Sequence, residues 1–319
     1  MNSLAEHLFL LSKSNRTHGV LGNESGDLDS VASALCYSLL NGEEKIIPFL
    51  NFPKKDLFAK KELMRLLTQG GISPDVLYFK EDLERFSGSL TLVDHRRLAV
   101  NQQNLRPRVR SVVDHHPGQS DPFSQPYEEE IVICGSTASI ISSKREKWPH
   151  DAAAFLLGAI LLDTSNLEDR NKTTEFDRKA ALSLSQSTGV DRRSFYEELL
   201  QLKEDVADED LLKRDAKSYK DGQLIYAISS VPRTPAFDRE AWENFRNDRA
   251  AHALFVFVNK AEAGTKHLFL YAPDDRLLDQ MTKCMPFPVY QKEGNVAEFL
   301  CPEELSRKTL QPLFSFSKL

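Results

Sequence analysis

Cysteine is scarce in this sequence, with four residues in a chain of 319: Cys36, Cys134, Cys284 and Cys301. No two of them form a C-x-x-C pair, and their spacings are irregular. Disulfide frameworks and structural zinc sites depend on paired or regularly spaced cysteines. We therefore expect free thiols in a reducing compartment, and neither a disulfide scaffold nor a thiolate zinc site.

Long apolar runs are also missing. No stretch approaches the roughly 20 apolar residues that span a bilayer, and the apolar run 8–11, preceded by Glu6, is too short for a secretory signal. Lysine and arginine number 41 against 47 aspartates and glutamates, which gives a formal charge of −6. A net anion is not attracted to nucleic acid or to an anionic membrane surface, so we expect neither as a partner.

The rest of the composition is that of a soluble globular protein, with 41% hydrophobic and 28% charged residues. A chain of this length usually forms about two domains. The C-terminal tripeptide Ser317-Lys318-Leu319 matches a peroxisomal address. It predicts a peroxisome-type organelle as the location, and the cytoplasm is the expectation without it.

The first half of the chain alternates strand-like and helix-like segments. Apolar segments of strand length at 19–22, 46–50, 90–93 and 109–113 are separated by helical patterns. This alternation predicts an α/β fold with a parallel sheet and helices on both faces. Pro48 marks the second segment as an edge-strand candidate, because proline cannot donate to a ladder.

The pattern of apolar and charged residues changes near residue 190. Beyond it come a charged helical stretch over 195–217 and further strand-like segments. We therefore expect a first domain over 1–190 and a second, smaller α/β domain over 191–319.

Aspartates close four of the apolar segments in the first domain. Three sets follow predicted strands and the last ends a predicted helix: Asp27 with Asp29, Asp94 with His95 and Arg96, Asp114 with His115 and His116, and Asp163. The carboxyl ends of parallel strands meet at one edge of a sheet, where ligands bind in open α/β folds. Carboxylates crowded there need counter-charge. Their oxygens, with one or two imidazoles, suit Mg²⁺ or Mn²⁺, and the set is large enough to hold two ions for a phosphoryl transfer.

Each motif also has a purely structural interpretation. Asp27 and Asp29 precede a helix and could be N-caps. Asp94 and Asp114 could be turn residues after strands. Asp163 is harder to explain in this way, because a buried carboxylate at the end of an apolar helix needs a partner.

The triplet Asp114-His115-His116, together with the other motifs, resembles the DHH phosphoesterase superfamily. Residues 22–30, Gly-Asn-Glu-Ser-Gly-Asp-Leu-Asp-Ser, are similar to the branch of yeast-type exopolyphosphatases and prune proteins, in which Asn replaces a metal-binding His of family II pyrophosphatases. Residues 210–217 and Ser306-Arg307-Lys308 resemble the second domain of this branch. The resemblance runs from about residue 22 to residue 312, and it implies an active site in the cleft between the two domains.

The resemblance implies a site with two divalent metal ions, Mg²⁺ or Mn²⁺. Asp27 would bind the first ion and Asp29 the second, and Asp94 would bridge them. The remaining implied groups are His115 and Asp163 at the second ion and Asn23 near the first. An amide oxygen is a harder ligand than the imidazole nitrogen that it replaces at the first site, so we expect this site to prefer Mg²⁺ over Mn²⁺.

The resemblance also implies residues that face the substrate. His116 would stabilise charge or donate a proton beside the phosphate, next to the bridging Asp94. Arg307 would grip phosphate bidentately and Lys308 would act as a point charge. Lys217 and Arg96 are further candidates for phosphate contacts.

The implied function is that of a metal-dependent exopolyphosphatase, which releases orthophosphate from the end of inorganic polyphosphate by attack of a metal-bound hydroxide. There are two alternatives of the same class. One is a prune-like enzyme that prefers short polyphosphates or acts as a nucleotide phosphodiesterase, and the other is an inorganic pyrophosphatase. A DHH nuclease is disfavoured because its Gly-Gly-Gly-His signature is absent and the chain is acidic. A non-catalytic scaffold protein is disfavoured because the expected acidic ligands and His115 are all present.

Overall fold

The computed structural model describes residues 3–12, 17–40, 45–123, 127–259 and 264–316, without the side chains of Glu209 and Lys308. The chain forms two compact units, Met1–Asp205 and Val206–Leu319. Residues 317–319, which carry the expected targeting signal, lie outside the described part. Over the described ranges, no helix combines the length and the apolar character needed to cross a membrane.

The first unit contains a parallel sheet in the strand order β3-β2-β1-β4-β5-β6, as far as its described residues go. The four predicted strands and the predicted parallel α/β arrangement are confirmed. The strands are β1 (His18–Leu21), β2 (Ile47–Leu50), β3 (Tyr78–Phe79), β4 (Ser89–Val93), β5 (Val109–Asp114) and β6 (Glu128–Ile131). The helices are α1 (Leu4–Leu11), α2 (Leu28–Tyr37), α3 (Lys61–Gln69), α4 (Lys80–Arg85), α5 (Thr137–Ser143), α6 (His150–Asp163), α7 (Glu175–Thr188) and α8 (Arg192–Glu204).

The strands β1, β2 and β4 are buried on both faces and are therefore largely apolar, whereas the edge strand β6 is partly exposed and rich in glutamate. Val20 of β1 packs into the core on the side of α2, α5 and α6. Its neighbour Leu21 packs into the opposite core, which α4 and a 3₁₀ segment over Val100–Arg108 cover. The helix α6 is apolar all round and is almost entirely buried. Burial on every side fixes this helix, and its C-terminal residue is Asp163.

The expectation that Pro48 marks an edge strand is wrong. β2 lies between β1 and β3 in the sheet. The short strand β3 pairs with Phe49 and Leu50, beyond the proline. Pro48 therefore does not need to donate to a neighbour on that side, and an internal strand tolerates it.

The boundary between the two units lies after Asp205 and not near residue 190. Helix α8, which the sequence analysis placed in the second domain, packs against α3 and α6 of the first unit. Leu199 of α8 is fully buried in the first unit's core. Glu198 of α8 accepts a bond from Arg65 of α3, with Nε and Oε1 2.6 Å apart.

The second unit contains a mixed sheet in the order β11-β12-β10-β9-β8-β7 over its described residues, in agreement with the predicted smaller α/β domain. β8 and β9 are parallel, and the other pairs are antiparallel. The strands are β7 (Ala216–Asp221), β8 (Leu224–Val231), β9 (Ala253–Val258), β10 (Thr265–Tyr271), β11 (Val289–Glu293) and β12 (Val296–Pro302). The helices are α9 (Arg239–Asp248), α10 (Asp275–Thr282) and α11 (Arg307–Leu310).

The helix predicted over 195–217 ends at Glu204, and its last part is the strand β7. Asp221 pairs with Leu224 across a two-residue turn, in which Gly222 has a φ of 59°. An Asp-Gly pair between strand-like segments is a strong hairpin signal, because glycine adopts positive φ without strain. That signal outweighs the helical charge pattern and places Lys217 on a strand.

Asp177 holds together three segments that approach the carboxyl edge of the first sheet. This carboxylate in the first turn of α7 is fully buried. It accepts bonds from the backbone N–H of Gly135 and of Thr174, both at 2.8 Å, and from the Ser139 hydroxyl at 2.6 Å. The entry to α7, the start of α5 and the loop before α5 therefore depend on one buried anion.

Replacing Asp177 with Ala should destabilise the first unit. The substitution leaves buried N–H groups without acceptors, so we expect a loss of about 3 kcal/mol in the free energy of unfolding. Urea unfolding followed by circular dichroism measures it. The control is Glu175→Gln, an exposed residue of the same turn, which should cost less than about 1 kcal/mol. Equal losses in both variants would contradict the assignment.

Candidate metal centre

The motif residues of the first unit follow three neighbouring strands. β1, β4 and β5 lie side by side and are parallel, so their carboxyl ends share one edge of the sheet. Asn23 follows β1, Asp94 follows β4, and Asp114 is the last residue of β5. The predicted convergence of these strand ends follows directly from this strand order.

Asp94 occupies an unusual backbone conformation at this edge. It has a φ of 61°, which places a residue that is not glycine in the left-handed region. Its N–H donates to the carbonyl of Val113 at 3.0 Å, which continues the ladder from β4 to β5. Its side chain is 2% exposed. The turn therefore directs a carboxylate into the protein where the chain leaves the sheet.

The two aspartates after β1 differ in their surroundings. Asp27 is the N-cap of α2 and accepts from the Ser30 N–H at 3.0 Å, so the N-cap interpretation holds for one of its oxygens. Asp29 is buried and accepts from the N–H groups of Thr137 at 2.8 Å and Ala138 at 2.7 Å. The start of α5 thus stabilises the negative charge of Asp29.

The two histidines after β5 are each oriented by a bond to one ring nitrogen. His115 Nδ1 lies 2.9 Å from the carbonyl oxygen of Cys134, to which it donates. This bond leaves His115 Nε2 to face the cluster, 3.5 Å from Asp94 Oδ1 and 3.9 Å from Asp29 Oδ2, where it can bind a metal once it has lost its proton. His116 Nδ1 lies 2.6 Å from Asp114 Oδ1. A histidine fixed in this way presents a chosen nitrogen to a metal or a substrate.

Two groups of these residues have the spacing of a metal site. Asp29, His115 and Asp163 each offer one ligand atom within 4.8 Å of the others. Asp94, Asp114, His115 and His116 form a second group under the same limit, and His115 belongs to both. Of the predicted metal ligands, the structure therefore brings Asp29, Asp94, His115 and Asp163 together. Asp27 lies outside both groups, and the amide of Asn23 contacts the second group through Asp94.

The electrostatics of the cluster show how crowded its negative charges are. Burial, together with the charges of Asp29 and Asp27, raises the pKa of Asp94 well above its usual value. The same causes raise the pKa of Asp163 to about 7. Burial alone would lower the pKa of His115, but Asp94 and Asp29 overcome it and raise this pKa to about 10. In the absence of cations, the cluster therefore gathers protons to compensate its charge.

The donor set suits a hard divalent cation. It consists of carboxylate oxygens and one or two imidazole nitrogens, which fit Mg²⁺ or Mn²⁺. The neighbouring Cys134 does not change this preference, because burial and the charge of Asp177 raise the pKa of its thiol to about 12. A cation would replace the protons that Asp94, Asp163 and His115 otherwise retain.

Asn23 contacts the cluster through its side-chain amide nitrogen. Its Nδ2 group donates to the Asp94 carboxylate. Its Oδ1 atom accepts from the backbone N–H of Ser25 at 2.9 Å and from the Ser25 hydroxyl. The amide oxygen predicted to stand near a metal is thus turned toward Ser25, because the loop supplies two donors there.

Arg96 binds the loop after β5, which differs from the predicted contact with substrate. Its guanidinium is buried and donates to the carbonyls of His116 and Gly118 and to Asp114 Oδ2, the last at 3.3 Å. The loop offers two carbonyls and an anion to one planar group. Arg96 therefore positions the residues that carry His116.

The other predicted phosphate contacts belong to the second unit. Arg307 begins α11 and is buried, and its Nη1 donates to the Asp215 carboxylate at 2.6 Å. Lys217 lies on β7, opposite Ile228 of β8. The side chain of Lys308 lies outside the described part of the chain.

Asp114 orients the two histidines that follow it, a role that the sequence analysis did not assign. It is fully buried and accepts from the N–H of His115 and from Nδ1 of His116. Burial would raise the pKa of Asp114, but the bond and charge of His116 hold this pKa well below its usual range. Its position at the end of an apolar strand, directly before two histidines, is the signal that indicates such a role.

Comparison with known proteins agrees with this fold. No family model matches the chain. A Schizosaccharomyces pombe protein with a provisional exopolyphosphatase name is 30% identical over 244 residues, which are 66% of this chain and 62% of that protein. Mouse "Exopolyphosphatase PRUNE1" is 28% identical over 307 residues, which are 86% of this chain and 66% of that protein. The chain thus spans about two thirds of the length of the curated relatives it matches.

A solved structure supports the assignment of the fold. The family II inorganic pyrophosphatase of Methanococcus jannaschii matches 92% of this chain and 97% of its own, with a TM-score of 0.68 and 19% identity. Bacterial relatives also bear provisional names as manganese-dependent inorganic pyrophosphatases. These matches confirm the predicted resemblance to the DHH phosphoesterase superfamily. The chain is similar to proteins named exopolyphosphatase and prune, and to the pyrophosphatases.

Metal binding at this cluster should depend on pH. Metal ligands must be deprotonated, whereas the metal-free cluster raises the pKa values of Asp94, Asp163 and His115 above their ordinary values. Raised pKa values in the folded state stabilise the metal-free protein at low pH, and this stability is lost as the pH rises through them. We therefore expect Mn²⁺ or Mg²⁺ to raise the unfolding temperature more at about pH 8 than at about pH 6.

Calorimetric titration of the metal at about pH 7, in buffers with different ionisation heats, should show net proton release. Asp163→Asn removes one of the titrating ligands and should release fewer protons than the wild-type chain. A thermal stabilisation independent of pH, with no proton release, would contradict this description of the cluster.

Proposed function

We propose that this protein is a metal-dependent phosphoanhydride hydrolase that releases orthophosphate from the end of inorganic polyphosphate. The observation that carries the proposal is the convergence of Asp29, Asp94, His115 and Asp163 at the carboxyl edge of a parallel sheet. Relatives with exopolyphosphatase names over two thirds of this chain or more support the choice of substrate.

Divalent cations would be held by Asp27, Asp29, Asp94, His115 and Asp163. When bound, two such ions offset the charge of phosphate oxygens, stabilise a developing negative charge and lower the pKa of water. The protein's part is to keep these carboxylates close together in spite of their repulsion. The N–H groups at the start of α5 and the bond from Asn23 do this for Asp29 and Asp94.

His116 is the proposed group for moving a proton. Asp114 holds its Nδ1 atom at 2.6 Å, which leaves Nε2 as the atom able to act on a phosphate oxygen. Arg96 fixes the carbonyl of the same residue. Orientation by two partners is what a general acid requires, because proton transfer demands a hydrogen-bond distance to the leaving oxygen.

Arg307, Lys308 and Lys217 of the second unit are the proposed phosphate contacts. Asp215 orients the Arg307 guanidinium, and a planar fork fixed in this way suits phosphate. Inorganic pyrophosphatase activity and a prune-like preference for short chains or nucleotides are the alternatives. Relatives with pyrophosphatase names favour the first of these.

Asp94→Asn should retain the fold and lose activity. Asparagine tolerates the left-handed backbone conformation of Asp94, but it removes one negative charge from the cluster. We expect phosphate release to fall by about a hundredfold or more. The control is Asp75→Asn, an exposed residue, which should leave activity unchanged. Full activity in a folded Asp94→Asn chain would contradict the bridging role.

A substrate panel should distinguish the candidate reactions. We expect malachite-green release of phosphate from long polyphosphate, with triphosphate and pyrophosphate cleaved more slowly and a cyclic nucleotide least. Each substrate is tested with Mg²⁺ and with Mn²⁺. Activity with transition metals alone would contradict the predicted preference for Mg²⁺. Faster cleavage of pyrophosphate selects the pyrophosphatase alternative, and no release with either metal refutes the enzyme.

A further inference from the structure

The second unit contains a cavity that the proposed hydrolase function does not use. It has a volume of about 350 Å³, near the lower limit of known small-molecule sites. Its walls come from α9, from the segment before α9 and from β10, β11 and β12. Because these elements all belong to the second unit, the cavity does not depend on the cluster in the first unit.

The sheet register explains why the cavity exists. Phe269 of β10 pairs with Glu298 of β12, which in turn pairs with Gln291 of β11. Paired residues in antiparallel strands lie on one face, as do residues two apart, so Glu293 lies on this face as well. α9 packs against β9, and the whole of β11 is exposed. The helix thus covers one part of the face and leaves a recess beside it.

Aromatic rings form one side of this recess. Trp242 of α9 is 3% exposed, and its ring lies 5.2 Å from that of Phe237 and 6.5 Å from that of Phe269, both at nearly right angles. Phe237 is 51% exposed and therefore lies at the mouth. Three rings at these angles form a corner that is open to solvent.

Carboxylates form the other side. Glu293 and Glu298 line the cavity together with the amide of Gln291. His267 Nδ1 holds Glu298 Oε1 at 2.5 Å, which fixes that carboxylate in place, and the Glu298 side chain is 16% exposed. Among the residues that the structure describes, no lysine, arginine or histidine lines the cavity. The walls therefore present aromatic rings and two carboxylates, of which Glu298 is already paired with His267.

We propose that this cavity binds an organic cation, an alkylammonium group carried on a small apolar body. The faces of aromatic rings attract cations, and tryptophan does so most strongly. Two carboxylates add to this attraction and exclude anionic ligands. A purely apolar ligand would cover the exposed carboxylate of Glu293 without supplying a partner for its charge, which is costly.

Choline and its uncharged isostere 3,3-dimethylbutan-1-ol provide the test, because they share a shape and differ in charge. Ligand-observed NMR on the full wild-type chain should give saturable binding of choline. We expect at least about tenfold weaker binding of the alcohol. The chain has two tryptophans, so Trp148→Phe leaves Trp242 as the fluorescent reporter. Its emission should change when choline is added and should not change when the alcohol is added.

Charge variants test the carboxylates. Glu293→Gln with Glu298→Gln should weaken choline binding at least about fivefold. Glu304→Gln, an exposed residue of the same unit that does not line the cavity, is the matched control and should change nothing. Thermal unfolding verifies that each variant is folded, and Glu293→Gln alone, at an exposed position, should give a smaller loss in the same direction.

Two sources could supply the cation, a free small molecule or a lysine side chain of another protein. A short peptide with a central lysine distinguishes these two sources. If the peptide binds about tenfold more tightly than choline, the site belongs to a protein partner. If choline binds more tightly than the peptide, the site belongs to a free amine. Equal affinities for choline and the alcohol would overturn the proposal. So would choline binding unaffected by the double variant, or no saturation at about 50 mM.

Discussion

The first unit depends on keeping mutually repelling carboxylates together in a place where water cannot screen them. Asp29, Asp94 and Asp163 share one imidazole, and Asp27 adds its charge nearby. Repulsion between buried anions costs far more than between exposed ones. The parallel sheet, the apolar helix α6 and the loops after the strands all serve to fix these groups against that repulsion.

Fixed dipoles and a few ion pairs make the arrangement possible. The start of α5 donates to Asp29, and Asp177 in turn holds the loop that leads into α5. Arg96 and Asp114 do the same for the loop that carries the histidines. Partners that orient ligands in this way set the geometry of a metal site as much as the ligands do.

The sequence predicts the strand ends well because the rule behind them is topological. Asp94 and Asp114 directly follow apolar runs, so any parallel sheet with those strands adjacent brings them to one edge. Asn23 and Arg96 were harder to predict, because their partners include the backbone N–H of Ser25 and the backbone carbonyls of His116 and Gly118, which leave no pattern in side-chain types. The local Thr174-x-x-Asp177 capping box marks Asp177 at the start of α7, but its bonds to Gly135 and Ser139, far away along the chain, leave no local signal.

The left-handed conformation of Asp94 also restricts how the protein can diverge. Few residues adopt a φ of 61° without strain, chiefly glycine, asparagine and aspartate. A lineage that no longer needs the carboxylate can therefore replace it cheaply with asparagine or glycine alone. In related proteins that have lost the site, position 94 should still be limited to these few residues, whereas positions without such a backbone constraint can vary more widely. The left-handed backbone conformation at position 94 thus continues to restrict the residue type even after the carboxylate has been lost.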